Sequence, residues 1–444
     1  MHIKKPQKAI FIINFMAVLM LAYGLINEYA SMVIVLLILL NSIRQNLKTS
    51  LITTMFFYPF MFLLRVPNHE NLLFIIFSDI LCNISIIKYL NLNIKYKTKD
   101  LIYYNYLSLL IVIIFSAIIT INNFLSLLFL YRQIIMPLIM FIIIYTIVKK
   151  DNQFLDEISN AAMIPYVLIS IMVILNYLNL MLIPPVYEAT YPTINYLREL
   201  DNPEFISRKI IFGLDIQRSN LMIGGAGGSV AAIFVAIGIF VLHRNDLSKF
   251  KRYFYFGVLT VAAILSGSFS LIIPWLIYLA IKITKRLNLV ISIPIIILLF
   301  LLITTNLGTT QFDILSYFFN SYVANIFDNF SNFSLNEIIF GKGITIQSSV
   351  IIDESNDFLA VDVGIFKLLF EFGAIVFIIF MSLILIAFIR YYNFTKNNNN
   401  GDQFLVLVIT MLVSIHTYLP FLAPFFCLFA VCFSGLSAKQ DVKI

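Results

Sequence analysis

Four histidines and three cysteines in 444 residues leave little from which to build a metal centre or a redox site. His2, His69, His243 and His416 are scattered, and none belongs to an H-E-x-x-H pattern, so a histidine-bound metal is not expected. Cys82, Cys427 and Cys432 all lie in apolar runs, which argues against a disulfide framework and against a thiolate cage. A G-x-x-x-x-G-K-[ST] loop is missing. The run Gly224-Gly225-Ala226-Gly227-Gly228-Ser229 lacks the lysine and falls in an apolar stretch, so ATP hydrolysis is not expected either. Charge is scarce as well: 12% of side chains carry one, about half the share of an ordinary soluble domain.

What the chain has in quantity is hydrocarbon. Apolar residues make up 61% of it and the mean hydropathy is +0.94, the composition of a protein whose solvent is mostly lipid. Apolar runs predict spans at 9–26, 29–43, 50–65, 71–87, 101–121, 124–148, 162–183, 220–242, 289–305 and 363–389. Residues 253–281 are too long for one span and carry Ser266-Gly267-Ser268 in the middle, which predicts a hairpin of two short helices. A second pair is expected over 403–435, turning near Tyr418-Leu419-Pro420. The expected fold class is therefore an all-α polytopic integral membrane protein with about 12–14 transmembrane helices. The first run follows Lys4, Lys5 and Lys8 like a signal peptide, but no small-residue cleavage site follows it, and it reads as a retained helix.

Basic residues set the orientation. With the N-terminus in the cytoplasm, Arg44 and Lys48, the cluster from Lys88 to Lys99, Lys149-Lys150, Arg244 to Arg252, Lys282 to Arg286, Arg390 and Lys396, and Lys439 and Lys443 all fall on that side. Both termini are then cytoplasmic. The same bias accounts for the net charge of +7 and the pI near 9.1, so no nucleic-acid partner is expected. Two long segments face outward, 184–219 and 306–362. They divide the chain into N-terminal helices (1–183), an outer loop (184–219), central helices (220–305), an outer cap (306–362) and C-terminal helices (363–444). The cap is dense in aromatics, among them Phe312, Tyr317, Tyr322 and Phe330, which predicts a folded element rather than a disordered loop. The Asn397 to Asn400 run is a low-complexity cytoplasmic linker.

Chemistry is to be sought on the outer face. Arg132 stands about nine residues into its span, roughly a third of the way across at ~1.5 Å per residue. An arginine at that depth costs about 2.5–3.5 kcal/mol on insertion scales, so it either pairs structurally or binds an anionic headgroup. Arg218 precedes the span at 220, on the same side as Arg208 and Lys209; it is either an interfacial anchor or a planar fork for phosphate oxygens. Gly224 and Gly228 form a G-x-x-x-G pair of the kind that packs helices closely. Asp353, Glu354, Asp357 and Asp362 lead into the span that follows. They are either solvated or, at the mouth of a cavity, placed to accept a hydroxyl proton. Glu371 lies inside that span and has Lys367 at i−4 as a possible pair.

Three segments together resemble the bacterial O-antigen and capsular repeat-unit polymerases, the Wzy family, which are related in fold to the O-antigen ligases. They are Leu130-Tyr131-Arg132-Gln133-Ile134-Ile135-Met136-Pro137; Gln217-Arg218-Ser219-Asn220 leading into the glycine-rich span; and Ile339-Phe340-Gly341-Lys342-Gly343 together with Val361-Asp362-Val363-Gly364-Ile365-Phe366 and Phe370-Glu371-Phe372-Gly373-Ala374. The last set is similar to the family's "l-f-G-x-G" loop followed by "s-D-x-G-x-x-x-l-l-x-x-x-G-i". Two departures matter. Phe269 stands where many relatives carry the arginine of an "S-x-S-R" hairpin, and Ser355 stands in place of the histidine of the ligases' "H-N-x-x-L". The second favours polymerase over ligase.

The resemblance implies a glycosyltransferase of the bacterial cytoplasmic membrane that joins undecaprenyl-pyrophosphate-linked oligosaccharide units on the outer face. The products would be O-antigen or capsular polysaccharide, and a chain-length regulator protein is an expected partner. No cofactor, metal or nucleotide is expected. Asp362, then Asp357, would deprotonate or orient the acceptor hydroxyl. Arg218 would stabilise the leaving pyrophosphate, with Arg132 and Arg208 binding it. Lys342, Glu371 and Tyr322 are weaker candidates for glycan contact. A ligase-type glycan transferase, or a non-enzymatic transporter or lipid-linked glycan flippase, remains the alternative.

Overall fold

The computed structural model describes residues 28–60, 72–92, 101–120, 127–128, 130–178, 208–211, 214–217, 227–244, 247–265, 269–286, 333–341, 364–395, 402–413, 428, 430–431 and 434. The elements in chain order are α1 (Glu28–Arg44), α2 (Leu47–Phe57), α3 (Leu72–Asn91), α4 (Leu101–Thr120), α5 (Met136–Lys150) and α6 (Asn152–Tyr177). A short hairpin follows, β1 (Arg208–Ile211) and β2 (Leu214–Gln217). Then come α7 (Gly227–Leu242), α8 (Lys249–Leu265), α9 (Ile273–Arg286), α10 (Leu335–Phe340), α11 (Gly364–Thr395) and α12 (Asp402–Val413).

Local chemistry accounts for several boundaries. Asn46 caps α2, its side-chain oxygen accepting from the Thr49 backbone N–H at 2.9 Å. Before α5 the chain widens into a single π-helical turn, Tyr131–Ile135. Pro137 explains the widening: it has no N–H to donate one turn back and its ring crowds the carbonyl there, so the preceding turn takes up an extra residue. Ser334 and Glu337 form a reciprocal capping box that starts α10.

The core is arranged around α7. From Ala231 to Val241 its apolar side chains are buried on every side, as expected of a helix that is hydrophobic all round. α8, α9 and α12 pack against it. The approach to α8 is close at Gly238, where a Cβ would lie 3.1 Å from the Phe256 ring. Polar groups are found inside as well. Ser42, Ser50, Ser85 and Thr54 are fully buried and joined by hydroxyl contacts of 3.1, 3.1 and 3.2 Å that bind α1, α2 and α3 together. Hydroxyls bridging helices in this way are a common means of association where the surroundings are apolar.

Outward faces, by contrast, are greasy. Leu107, Ile111, Ile114 and Ile118 form an exposed stripe on α4, and Ile375, Ile378, Leu385 and Ile389 another on α11. Among the described residues two helices are long and apolar enough to cross a membrane by length and composition, Gln153–Leu175 and Leu368–Ile386; shorter apolar helices include Tyr103–Ile119 and Ala231–Leu242.

The described residues are predominantly helical, and two details differ from the sequence expectation. The expected outer loop at 184–219 contains the short β1–β2 hairpin, antiparallel with Arg208 opposite Gln217 and Ile211 opposite Leu214; the other described elements are helical, as the expected fold class has it. Helix α6 begins at Asn152, well before residue 162. Its polar-looking first turns still bury Phe154, Leu155 and Ile158 on one face, a stripe that an averaged apolar window does not register. The expected span at 289–305 lies outside the described residues.

Candidate functional site

Arg132 sits in the π-helical turn and meets a carboxylate. Its Nε lies 2.9 Å from Oδ2 of Asp79 on α3, with both side chains partly buried. The neighbouring residue repeats the contact one turn along: the Tyr131 hydroxyl donates to Oδ1 of Asn83. Asn83 in turn donates through Nδ2 to the Asp79 carbonyl at 2.9 Å, and the Ser78 hydroxyl lies 3.5 Å from Asp79 Oδ1. Two consecutive residues of the turn are thus clasped by two residues an i,i+4 step apart on α3. Arg132 is thus paired, and Asp79 is its partner. Asp79 escaped the sequence analysis, although it is the single carboxylate in the apolar run 71–87. An acid in such a run is itself a signal.

The second cluster joins α10 to α11. Gly341 ends α10 with φ 83° and ψ 169°, and Gly373 interrupts α11 with φ 82° and ψ 176°. Both values fall in a region that is essentially closed to residues with a Cβ. The two glycines face each other. A Cβ on Gly341 would lie 2.2 Å from the Glu371 carbonyl oxygen, and one on Gly373 would lie 2.1 Å from that of Ile339. Each glycine therefore receives the carbonyl two residues before the other, and Ile339-Phe340-Gly341 and Glu371-Phe372-Gly373 form a reciprocal clasp with an X-Phe-Gly sequence on both sides. α4 holds it from the side: the Ser116 hydroxyl donates to the Phe340 carbonyl at 2.5 Å, and the Phe115 and Phe340 rings are 6.5 Å apart. Phe333 packs edge-on against Phe370 at 5.2 Å. Glu371 lies in this junction with 2% of its surface exposed, which makes it a buried carboxylate at a helix break.

The remaining candidates are placed as follows. Arg208 opens β1, paired in register with Gln217. Arg218, Tyr322, Lys342, Asp357 and Asp362 lie outside the described residues, as does the side chain of Lys367. Among the described residues no cluster of histidine, cysteine and carboxylate side chains has the makings of a metal site. No known protein family, curated protein or solved structure matches this chain.

Proposed function

We propose that the chain is a polytopic helical membrane protein that polymerises polyprenyl-pyrophosphate-linked oligosaccharide units at the outer face of the bacterial cytoplasmic membrane, using neither nucleotide nor metal. The observation that carries this reading is the glycine clasp. Its two halves both belong to the third of the segments on which the resemblance to the Wzy polymerases rests, and they touch through backbone. Lys342 follows one half directly, and Asp362 shortly precedes the helix that carries the other. Support for a lipid environment comes from the exposed apolar stripes on α4 and α11 and from the two long apolar helices.

In this mechanism the donor arrives already activated, as it must where no nucleotide sugars are present. Asp362, with Asp357 as second choice, takes or orients the proton of the acceptor hydroxyl. That oxygen attacks the anomeric carbon of the donor, and the bond to the pyrophosphate breaks. Arg218, with Arg132 and Arg208, bears the charge that grows on the leaving group. Removing one such donor costs about 100- to 1,000-fold in rate. Tyr322, Lys342 and Glu371 contact or frame the glycan, and a chain-length regulator is the partner protein.

The test is a ladder assay. Purified protein in detergent is given its lipid-linked repeat with no nucleotide or metal added, and the product is resolved by size. Wild type is expected to give a ladder, while Arg218→Ala and Asp362→Asn are expected to leave single repeats. Arg218→Lys is also expected to fail, since a point charge does not reproduce the fork. No ladder from wild type, or normal ladders from both variants, overturns the proposal. One structural observation favours a different class, a lipid-linked glycan flippase: the Asp79–Arg132 pair within helices and the breaks at Tyr131–Ile135 and Gly373 are features that transporters use. Movement of lipid-linked repeats across vesicles without chain growth would select it.

A further inference from the structure

We propose that the first turns of α8 form a binding face for anionic phospholipid, with aromatic rings seated at the level of the headgroups and two lysines on the phosphates. The inference rests on the membrane placement in the proposed function and is independent of the polymerase chemistry.

α8 opens with Lys249-Phe250-Lys251-Arg252-Tyr253-Phe254 and contains no acidic residue. Three aromatic side chains of this stretch stand in the open: Phe250 is 78% exposed, Tyr253 68% and Phe254 46%. Phe250 and Phe254, an i,i+4 pair, are stacked with ring centroids 6.1 Å apart and planes 11° from parallel. At ~100° per residue these three and the exposed Val261 fall within one arc of about 100°, with Lys249 bordering one edge and Lys251 the other. The buried Leu259, Ala262 and Ala263 lie on the opposite side, and α6 and α7 pack against the helix. The exposed face is thus an aromatic strip with a cation along each margin.

The rest of the molecule accounts for neither feature. Among the described residues Lys249 and Lys251 meet no carboxylate. Keeping this end of the helix in the cytoplasm needs the charges alone, and leaves two phenylalanine rings and a tyrosine open to water. A merely solvated face has no use for the rings, and a contact with another apolar protein surface has no use for the cations beside them. Rings bordered by cations suit the membrane interface, where aromatic groups sit among headgroups and cations reach phosphate oxygens. Charge complementarity then selects the headgroup. Phosphatidylcholine neutralises its own phosphate with a choline, whereas phosphatidylglycerol leaves its phosphate for Lys249 and Lys251. A cation beside an anionic leaflet is worth about 5-fold in affinity. In the proposed topology α8 begins on the cytoplasmic side, so the lipid is drawn from the inner leaflet.

The experiment uses the fact that the chain has a single tryptophan, Trp275. With Trp275→Phe as background, Tyr253→Trp places the sole indole in the strip. Full-length protein is reconstituted into phosphatidylcholine vesicles that contain brominated phosphatidylglycerol or brominated phosphatidylcholine, whose bromine quenches the indole on contact. The first is expected to quench with an apparent affinity at least about 5-fold above the second, and the preference to fall below two-fold in Lys249→Gln/Lys251→Gln. It should also shrink as salt is raised. Equal quenching by the two lipids overturns the inference, as does a preference that survives loss of both lysines. A preference abolished by inorganic phosphate at constant ionic strength overturns it too, and assigns the lysines to free phosphate. Quenching by neither lipid overturns it and leaves another protein surface as the cover of the rings. Ile378→Trp in the same background, on the exposed stripe of α11, separates this inference from the reading beneath it. If Ile378→Trp is quenched and Tyr253→Trp is not, the membrane placement stands and this inference alone falls; if neither is quenched, both fall. A wild type that gives no ladder, with the lysine-dependent preference intact, removes the polymerase reading alone. If Tyr253→Trp does not fold, Phe250→Trp takes its place with the same expectations.

Discussion

A single methyl group added at Gly341 or Gly373 places a carbon 2.2 or 2.1 Å from a backbone carbonyl oxygen. The obstacle is main chain on both sides, so no side chain can swing aside. Two costs arise. Holding an alanine at φ near +82° with ψ near 170° is worth about 1–3 kcal/mol, and the displacement of packed backbone adds about 1–3 kcal/mol. Each variant is therefore expected to lose about 2–6 kcal/mol of local stability, a large share of the ~5–15 kcal/mol that holds a typical folded protein together. Because both changes break the same contact, the double variant should cost clearly less than the sum of the two. Gly257 is the internal control. It lies in α8 and a Cβ there meets nothing within 4 Å, so Gly257→Ala should be neutral or stabilising by up to about 1 kcal/mol. The measurement is thermal unfolding in detergent, paired with limited proteolysis to report release of residues 333–341. If Gly341→Ala and Gly373→Ala match Gly257→Ala in midpoint and cleavage pattern, or if their effects simply add, the clasp has been misread.

Gly238→Ala should gain from helix propensity and lose to the Phe256 ring at 3.1 Å, for a small net change, whereas Gly238→Val should separate α7 from α8 and cost about 1–3 kcal/mol; equal midpoints for the two would refute the close approach. Lys282→Ala should destabilise more than Lys48→Ala, as read by denaturation, because Asp402 opposite Lys282 is 2% exposed while Asp151 opposite Lys48 is 36% exposed; pairs as open as Lys48–Asp151 are worth about 0.2–1 kcal/mol. The Lys48 hydrogen bond holds the Asp151 carboxyl below the usual aspartate range, in spite of an opposing desolvation effect. Its stabilisation is thus present at neutral pH and lost as pH falls through the lowered value, so the gap in midpoint between wild type and Asp151→Asn should close below about pH 4. A gap that persists into stronger acid would show that the pair is not its source.

Hydropathy made the helical character readable, because an apolar run of span length has few other uses. The capping box at Ser334 and Glu337 carries its geometry in its spacing, a signal the sequence expectations did not include. Tertiary relations were not readable. Gly341 and Gly373 stand in quoted stretches of sequence, yet nothing in either stretch says that each must be a glycine because the other's neighbour fills the place of its Cβ. Asp79 is one carboxylate in an apolar run; its rarity there is a signal, but the run does not say that Arg132 stands opposite it. The first turns of α6 were hidden by averaging, since Asn152, Gln153, Asp156 and Glu157 dilute a buried face that is nonetheless continuous. In the loop at 184–219 the hairpin is too short to stand out from its length.

The Phe-Gly junction also sets an order of events during synthesis. Residues 339–341 leave the ribosome before 371–373, and the earlier glycine lacks the Glu371 carbonyl opposite it until the later helix has formed and has bent. Until then α10 has, among the described residues, its own capping box and the side of α4 to rest on. Docking of α10 is therefore completed late, by the arrival of α11, and a chain stalled between the two glycines would present residues 333–341 undocked to any protease.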